Sequence, residues 1–106
     1  MLFDIRTYDI KPGALPAYME AVRKHAKPIR ERYGVRLAGW YHCEVEGAPR
    51  IIHIWAYRDA AHLEQARQGF RADPEWTGEY LPVVKDLQVR TQSQIAEAAD
   101  FSPQPR

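Results

Sequence analysis

Cysteine is almost absent: Cys43 is the only one in 106 residues. A single thiol excludes an intramolecular disulfide and a cysteine-built zinc site, and it fits a reducing compartment. On a strand-like segment it reads as a small buried hydrophobe. An excess of either charge is also lacking. Fifteen Lys and Arg are interspersed with fourteen Asp and Glu for a net +1, so no electrostatic footprint for nucleic acid or an anionic membrane is expected. No apolar run reaches bilayer length, and the N-terminus has no basic region followed by an apolar one, which makes the cytoplasm the expected location. Gly-rich phosphate loops, a nucleophile elbow and paired carboxylates are missing too. His25, His42, His53 and His62 lie on different elements without ligand spacing. His42 and Glu44 share a strand face but lack a third ligand, so no metal and no cofactor is expected.

What remains is an ordinary globular composition, 45% hydrophobic and 27% charged. The length fits one domain over residues 1–106 with little core to spare, so association with a second copy would add stability. Residues 2 to 8 alternate as a strand, and Lys11-Pro12-Gly13 ends it. Between about 14 and 33 the apolar residues Leu15, Tyr18, Met19, Val22, Ala26, Ile29 and Tyr33 follow helical spacing, with Gly34 as the stop. Pro28 falls inside this helix and predicts a kink or break there. Arg23, Lys24, Lys27, Arg30 and Arg32 make the same helix basic, and with Glu20 and Glu31 at four-residue spacing to Lys24 and Lys27 they read as a salt-bridged surface.

Val35 to about Val45 and 50 to 57 form an antiparallel hairpin around the turn at 46–49. Asp59 caps a helix carrying Leu63, Ala66 and Phe70. Asp73-Pro74-Glu75 starts a short helix from 74 to 81, limited by Pro82. Leu87 to Ile95 supplies the last strand, and from about Ala96 an extended tail follows, with Phe101 as its anchor. The order strand, helix, strand, strand, helices, strand predicts an α+β, ferredoxin-like sandwich: a four-stranded antiparallel sheet with helices on one face.

The segment Ile51 to Tyr57 carries the most information. Ile51, His53, Trp55 and Tyr57 occupy one face and Ile52, Ile54 and Ala56 the other, so the sheet needs cover on both sides. Helices supply only one cover, and the bare apolar face predicts a homodimer through sheet packing.

Arg6-Thr7-Tyr8 with Lys11-Pro12-Gly13, Gly39-Trp40, His53-Ile54-Trp55-Ala56-Tyr57, Asp73-Pro74-Glu75-Trp76 and Phe101-Ser102-Pro103 occur in an order that resembles the NIPSNAP family over nearly the whole chain. The resemblance implies a dimeric α+β barrel, the superfamily of small cofactor-independent monooxygenases, haem-degrading enzymes and dehydratases. It further implies a small-molecule pocket between helices and sheet in each protomer, lined by alternate residues of the third strand, here His53, Trp55 and Tyr57.

Arg6 and Tyr8 form a similar polar and aromatic set on the first strand, as do Arg90 and Gln92 on the fourth, although parity does not fix a shared face. Trp76 and Tyr80 are placed to close one end. The aromatics serve equally as core. His53 among isoleucines is either a bonded core residue or a pocket group that moves a proton, and Arg6 either pairs with Asp4 or Asp86 or holds an anionic substrate group. Two functional readings follow. In one, an enzyme resembling a monooxygenase or isomerase acts on an apolar or aromatic metabolite, with His53 accepting a proton while Arg6 and Tyr57 stabilise developing charge and Tyr8, Trp55, Trp76, Tyr80 and Arg90 bind the ligand. In the other, the chain is a non-catalytic ligand-binding or interaction module.

Overall fold

The alternating segments form four strands, β1 (Leu2–Ile10), β2 (Arg36–Val45), β3 (Ala48–Tyr57) and β4 (Gln88–Glu97), in a computed structural model that describes residues 1–103. They pair antiparallel in the order β2-β3-β1-β4, which is the expected ferredoxin-like α+β sheet. The register fixes the faces. Tyr8 lies opposite Ile51, Arg6 opposite His53 and Asp4 opposite Trp55, so these residues share the helix-covered side. Phe3, Ile5, Ile52, Ile54 and Ala56 share the other. Cys43 lies opposite Arg50 on that second face and is exposed, which corrects its reading as a buried hydrophobe.

The β2–β3 loop is shorter than expected. Glu46 and Gly47 both have positive φ, 53° and 81°, the two-residue turn whose twist matches a hairpin. Ala48 and Pro49 thereby join β3, at its end beyond the last β1 pair.

The first helical stretch comprises α1 (Leu15–Ala21), a π-helical turn at Val22–Ala26 and α2 (Lys27–Arg32). Pro28 has no N–H for the carbonyl four residues back, and its ring crowds that carbonyl. The wider turn relieves the conflict, with the Lys27 N–H reaching the Val22 carbonyl five residues away. The expected interruption is therefore present as a bulge. At the end of α2, Gly34 at φ 79° and the bonds Val35 N–H to Arg30 C=O and Gly34 N–H to Glu31 C=O close the helix.

The same device recurs before Pro82. A π-helical turn at Trp76–Tyr80 runs into α4 (Leu81–Val84), with the Leu81 N–H on the Trp76 carbonyl. Pro82 thus continues a helical run instead of ending it, a correction with a simple cause: the wider turn before it accommodates the missing N–H and the crowding of its ring. Between the two stretches, α3 (Ala60–Ala72) begins as expected at Asp59, whose carboxylate accepts the His62 N–H at 2.8 Å.

The helices bury two adjoining clusters against the sheet, one around Tyr8, Tyr18, Ile29, Ile51, Phe70 and Trp76, the other around Val35, Trp55, Tyr57 and Ala66. The tail departs from expectation. β4 continues to Glu97, and Ala99 to Ser102 close a turn, with the Ser102 N–H on the Ala99 carbonyl. Phe101, the expected anchor, is 88% exposed in the protomer. Residues 104 to 106 of the expected tail lie outside the described residues.

Candidate functional site

A cleft of about 420 Å³ opens between the sheet and the π-helical turn at Trp76–Tyr80, with β1, β3, β4, α2 and α3 contributing to its walls. Of the residues expected there, Arg6, Tyr8, His53, Trp76 and Tyr80 line it. Trp55 and Tyr57 do not. Trp55 is fully buried one layer behind, and Tyr57 packs in the neighbouring cluster with its ring 5.6 Å from that of His62. Arg90 is also misplaced. It lies opposite Asp9, and because Thr91 is the residue opposite Tyr8, the fourth strand presents Thr91 to the cleft and Arg90 to the far face. A bulge in the β4 pairing at Asp9/Ile10 keeps Gln88 on the cleft side.

The electrostatics are built from the strand residues outward. Asp4 is buried and accepts from Arg6 Nε at 2.9 Å and from Arg67 at 3.2 Å. Arg6 therefore makes the structural pairing, while its Nη1 donates to the Tyr8 hydroxyl at 2.6 Å. Burial opposes the charge on Arg6, but Tyr8 and Asp4 outweigh it, and its pKa moves up. The guanidinium is held in place at the cleft wall, permanently charged.

His53 is 4% exposed, and its Nδ1 accepts the Trp55 indole N–H at 2.8 Å. An indole nitrogen only donates, so neutral His53 carries its own proton on Nε2. Burial, then Arg30, then Arg6 pull its pKa down to about 3. At neutral pH it is a fixed hydrogen-bond donor whose Nε2 has no partner among the described residues, not the proton acceptor expected of it. The Tyr8 ring meets it edge-on at 4.6 Å.

Arg30 is the residue that the sequence did not reveal. Assigned to a salt-bridged surface, it is instead 5% exposed, with its guanidinium carbon 4.3 Å from the Trp55 ring centre, 4.9 Å from Trp76 and 5.0 Å from Phe70. Among the described residues no carboxylate pairs with it, and its Nε is buried without a partner. Burial pulls its pKa down, with only the phenols of Tyr80, Tyr8 and Tyr57 opposing, yet an arginine does not surrender its proton in a protein. A buried unpaired charge costs several kcal/mol, and a cation over an aromatic face returns about 0.5–2 kcal/mol per contact. Three rings offset much of the desolvation but satisfy none of the five donors. The available signal was positional: Ala26, Arg30 and Tyr33 continue the apolar stripe at four- and three-residue spacing. The other basic residues of this stretch do form surface pairs, Arg23 with Glu20 and Lys27 with Glu31.

One further cluster joins groups remote in sequence. His25, Glu75 and Glu79 bring their ligand atoms within 4.8 Å of one another. Glu75, however, is already held by His25 Nδ1 at 2.7 Å and by Arg32, an arrangement that ties the two π-helical turns together as a charge network.

Comparison with known proteins places this geometry among relatives. The family model described as NIPSNAP matches residues 3–103. Human protein NipSnap homolog 3B is 32% identical over 75 residues, covering 70% of this chain and 30% of its own length. The chain thus spans about a third of the curated relatives it matches. Protein Atu4242 of Agrobacterium tumefaciens superposes with a TM-score of 0.87 at 34% identity, covering 97% of this chain and 98% of its own. A structure described as an antibiotic biosynthesis monooxygenase shares the fold, at a TM-score of 0.53 and 21% identity over 93% of this chain and 99% of its own.

Proposed function

On the premise that the chain belongs to the NIPSNAP family, we propose that it is a homodimeric small-molecule-binding protein with one ligand cleft in each protomer. The observation that carries the reading is the convergence of Arg6, Tyr8, His53, Trp76 and Tyr80 from separate elements on one cleft of about 420 Å³. That volume suits a small metabolite, and aromatic walls with a few fixed polar groups are what such sites use for grip and orientation. The homodimer rests on the second face of the sheet. There Phe3, Ile5, Ala38, Ile54, Ala96 and Phe101 border an apolar depression of about 480 Å³ that a second copy would cover.

Binding is the primary role in this reading. His53, locked as a donor by Trp55, supplies no base for abstracting a proton. A second reading is favoured by the likeness in fold to monooxygenases and by the donors themselves: a ligand that ionises on its own has its negative charge stabilised by Arg6 and His53, as an oxyanion site would. Tyr57, in its neighbouring cluster, has no part in it.

Thr91→Trp tests the cleft. Across a panel of small aromatic metabolites followed by thermal shift, compounds that raise the parent's melting temperature should lose that effect in the variant, with its own melting temperature nearly unchanged. Shifts that survive the plug would place binding elsewhere.

A further inference from the structure

We propose that the ligand of this cleft is an organic carboxylate with a flat apolar body, and that Arg30 is the residue that selects it. The inference rests on the small-molecule reading above and narrows it to a chemical class. Three observations point the same way. Arg30 is buried at the cleft inside a cage of Trp55, Trp76 and Phe70, with no carboxylate of the protein to balance it among the described residues. The buried acid Asp4 is already shared by Arg6 and Arg67 through its Oδ2. The walls include a third cation, Arg71, and neither an aspartate nor a glutamate.

A guanidinium built into a protein core normally brings its own counter-ion, because an unpaired buried charge is costly. Here no carboxylate pairs with the guanidinium among the described residues and the side chain lines a cleft, so the complement is supplied from outside. Arg30 Nε and the Nε2–H of His53 are both orphaned, and Arg6 is oriented beside them by Asp4. Arginine offers two parallel N–H groups that match the two oxygens of a carboxylate. Phosphate fits less well, since no glycine-rich loop of backbone N–H groups lines the site to cradle it. The rings of Tyr8, Phe70, Trp76 and Tyr80 in the cleft lining, Trp76 tilted at 43° to Tyr80 with centres 4.6 Å apart, supply the apolar wall for an aromatic or otherwise planar body.

The test compares 1-naphthoate with 1-naphthamide, which have the same shape and differ in charge, by calorimetric titration of the whole chain. Naphthoate is expected to bind at least ten-fold more tightly, and Arg30→Met to bring the two within about three-fold of each other. Arg30→Lys, which keeps the charge but not the paired donors, should retain only part of the preference. Without ligand, Arg30→Met should melt no lower than the parent, because it removes a charge whose burial three rings offset only in part; a loss of many degrees would make Arg30 a structural residue and overturn the proposal. Equal binding of both probes to the parent would overturn the carboxylate class and leave the cleft standing as a small-molecule site. Binding of neither would remove both. Inorganic phosphate that binds more tightly than naphthoate and depends on Arg30 would also overturn it.

Discussion

The two faces of the sheet contrast in burial and in hydrogen bonding. On the helix-covered face the apolar groups are well buried and the polar ones are short of partners: among the described residues Asp4 Oδ1, Arg30 Nε, Trp40 Nε1, His53 Nε2 and Arg67 Nε are all buried and unbonded. On the other face the hydrogen-bonding is ordinary, exemplified by Arg50 on Asp9 at 2.7 Å, while Ile5, Ile52 and Ile54 are only half-buried and Tyr41 and Phe101 stand exposed. Orphaned donors in a cleft call for something small and polar, since each lost hydrogen bond costs about 1–3 kcal/mol. A flat apolar surface calls for something large and apolar, since its burial gains about 25 cal/mol per Å². The same four strands thus present two different surfaces, charged and polar groups lining one and aliphatic side chains the other.

The largest effect is expected on the apolar face. Ile54→Glu places a charge at the centre of the surface that a second copy would cover. Sedimentation at micromolar concentration should show a dimer for the parent and a monomer for the variant, with association weakened at least ~100-fold, about 3 kcal/mol at 1.4 kcal/mol per factor of ten. A parent that sediments as a stable monomer would break the comparison, because the apolar face would then be tolerated in water.

An intermediate effect is expected from His53, and its sign follows from the lowered pKa. In the unfolded chain the imidazole takes a proton near pH 6.5, whereas in the folded protein it resists until about 3. Its contribution to stability is therefore full above pH 6.5 and falls as the pH drops toward 3, by up to ~1.4 kcal/mol per pH unit. His53→Gln removes this titration. Urea unfolding at pH 6.5, 5.5 and 4.5 should show the parent losing stability faster than the variant on the acid side. Parallel curves would mean that His53 protonates freely, and that burial beside Arg30 and Arg6 does not hold it neutral.

The faces themselves were legible because period-two alternation is a local property. Ile51, His53, Trp55 and Tyr57 against Ile52, Ile54 and Ala56 divided as the pattern dictates, and the strand order with helices on one side followed from the succession of elements. Which buried residues reach the cleft was not legible, since that depends on depth. Trp55 and Tyr57 have the right parity and lie beneath the lining, where α2 and α3 cover them. Arg30 escaped notice for a related reason: basic neighbours at 23, 24, 27 and 32 made a charged surface the simplest account, and the stripe that turns residue 30 inward passes between them. Bulges supplied the remaining surprises. Each proline inside a helical run is met by a π-turn, which no propensity rule places in advance.

Arg90 gives the smallest expected effect and the sharpest control on that depth argument. It was grouped with the ligand residues because it sits in a strand beside the cleft, but one step of register sends it to the opposite face, where it lies across from Asp9 and adds to the field that lowers the Asp9 pKa behind Arg50. Arg90→Ala should therefore leave the naphthoate affinity unchanged within two-fold and the melting temperature within about 1 °C, as expected of a surface substitution away from buried features. Thr91 is its immediate neighbour with the opposite orientation, so the pair isolates parity from position: the same strand, adjacent residues, and binding lost with Thr91→Trp only. Loss of affinity in Arg90→Ala would show that the edge strand slips by one residue in solution, turning the fourth strand's arginine into the cleft and its threonine out of it.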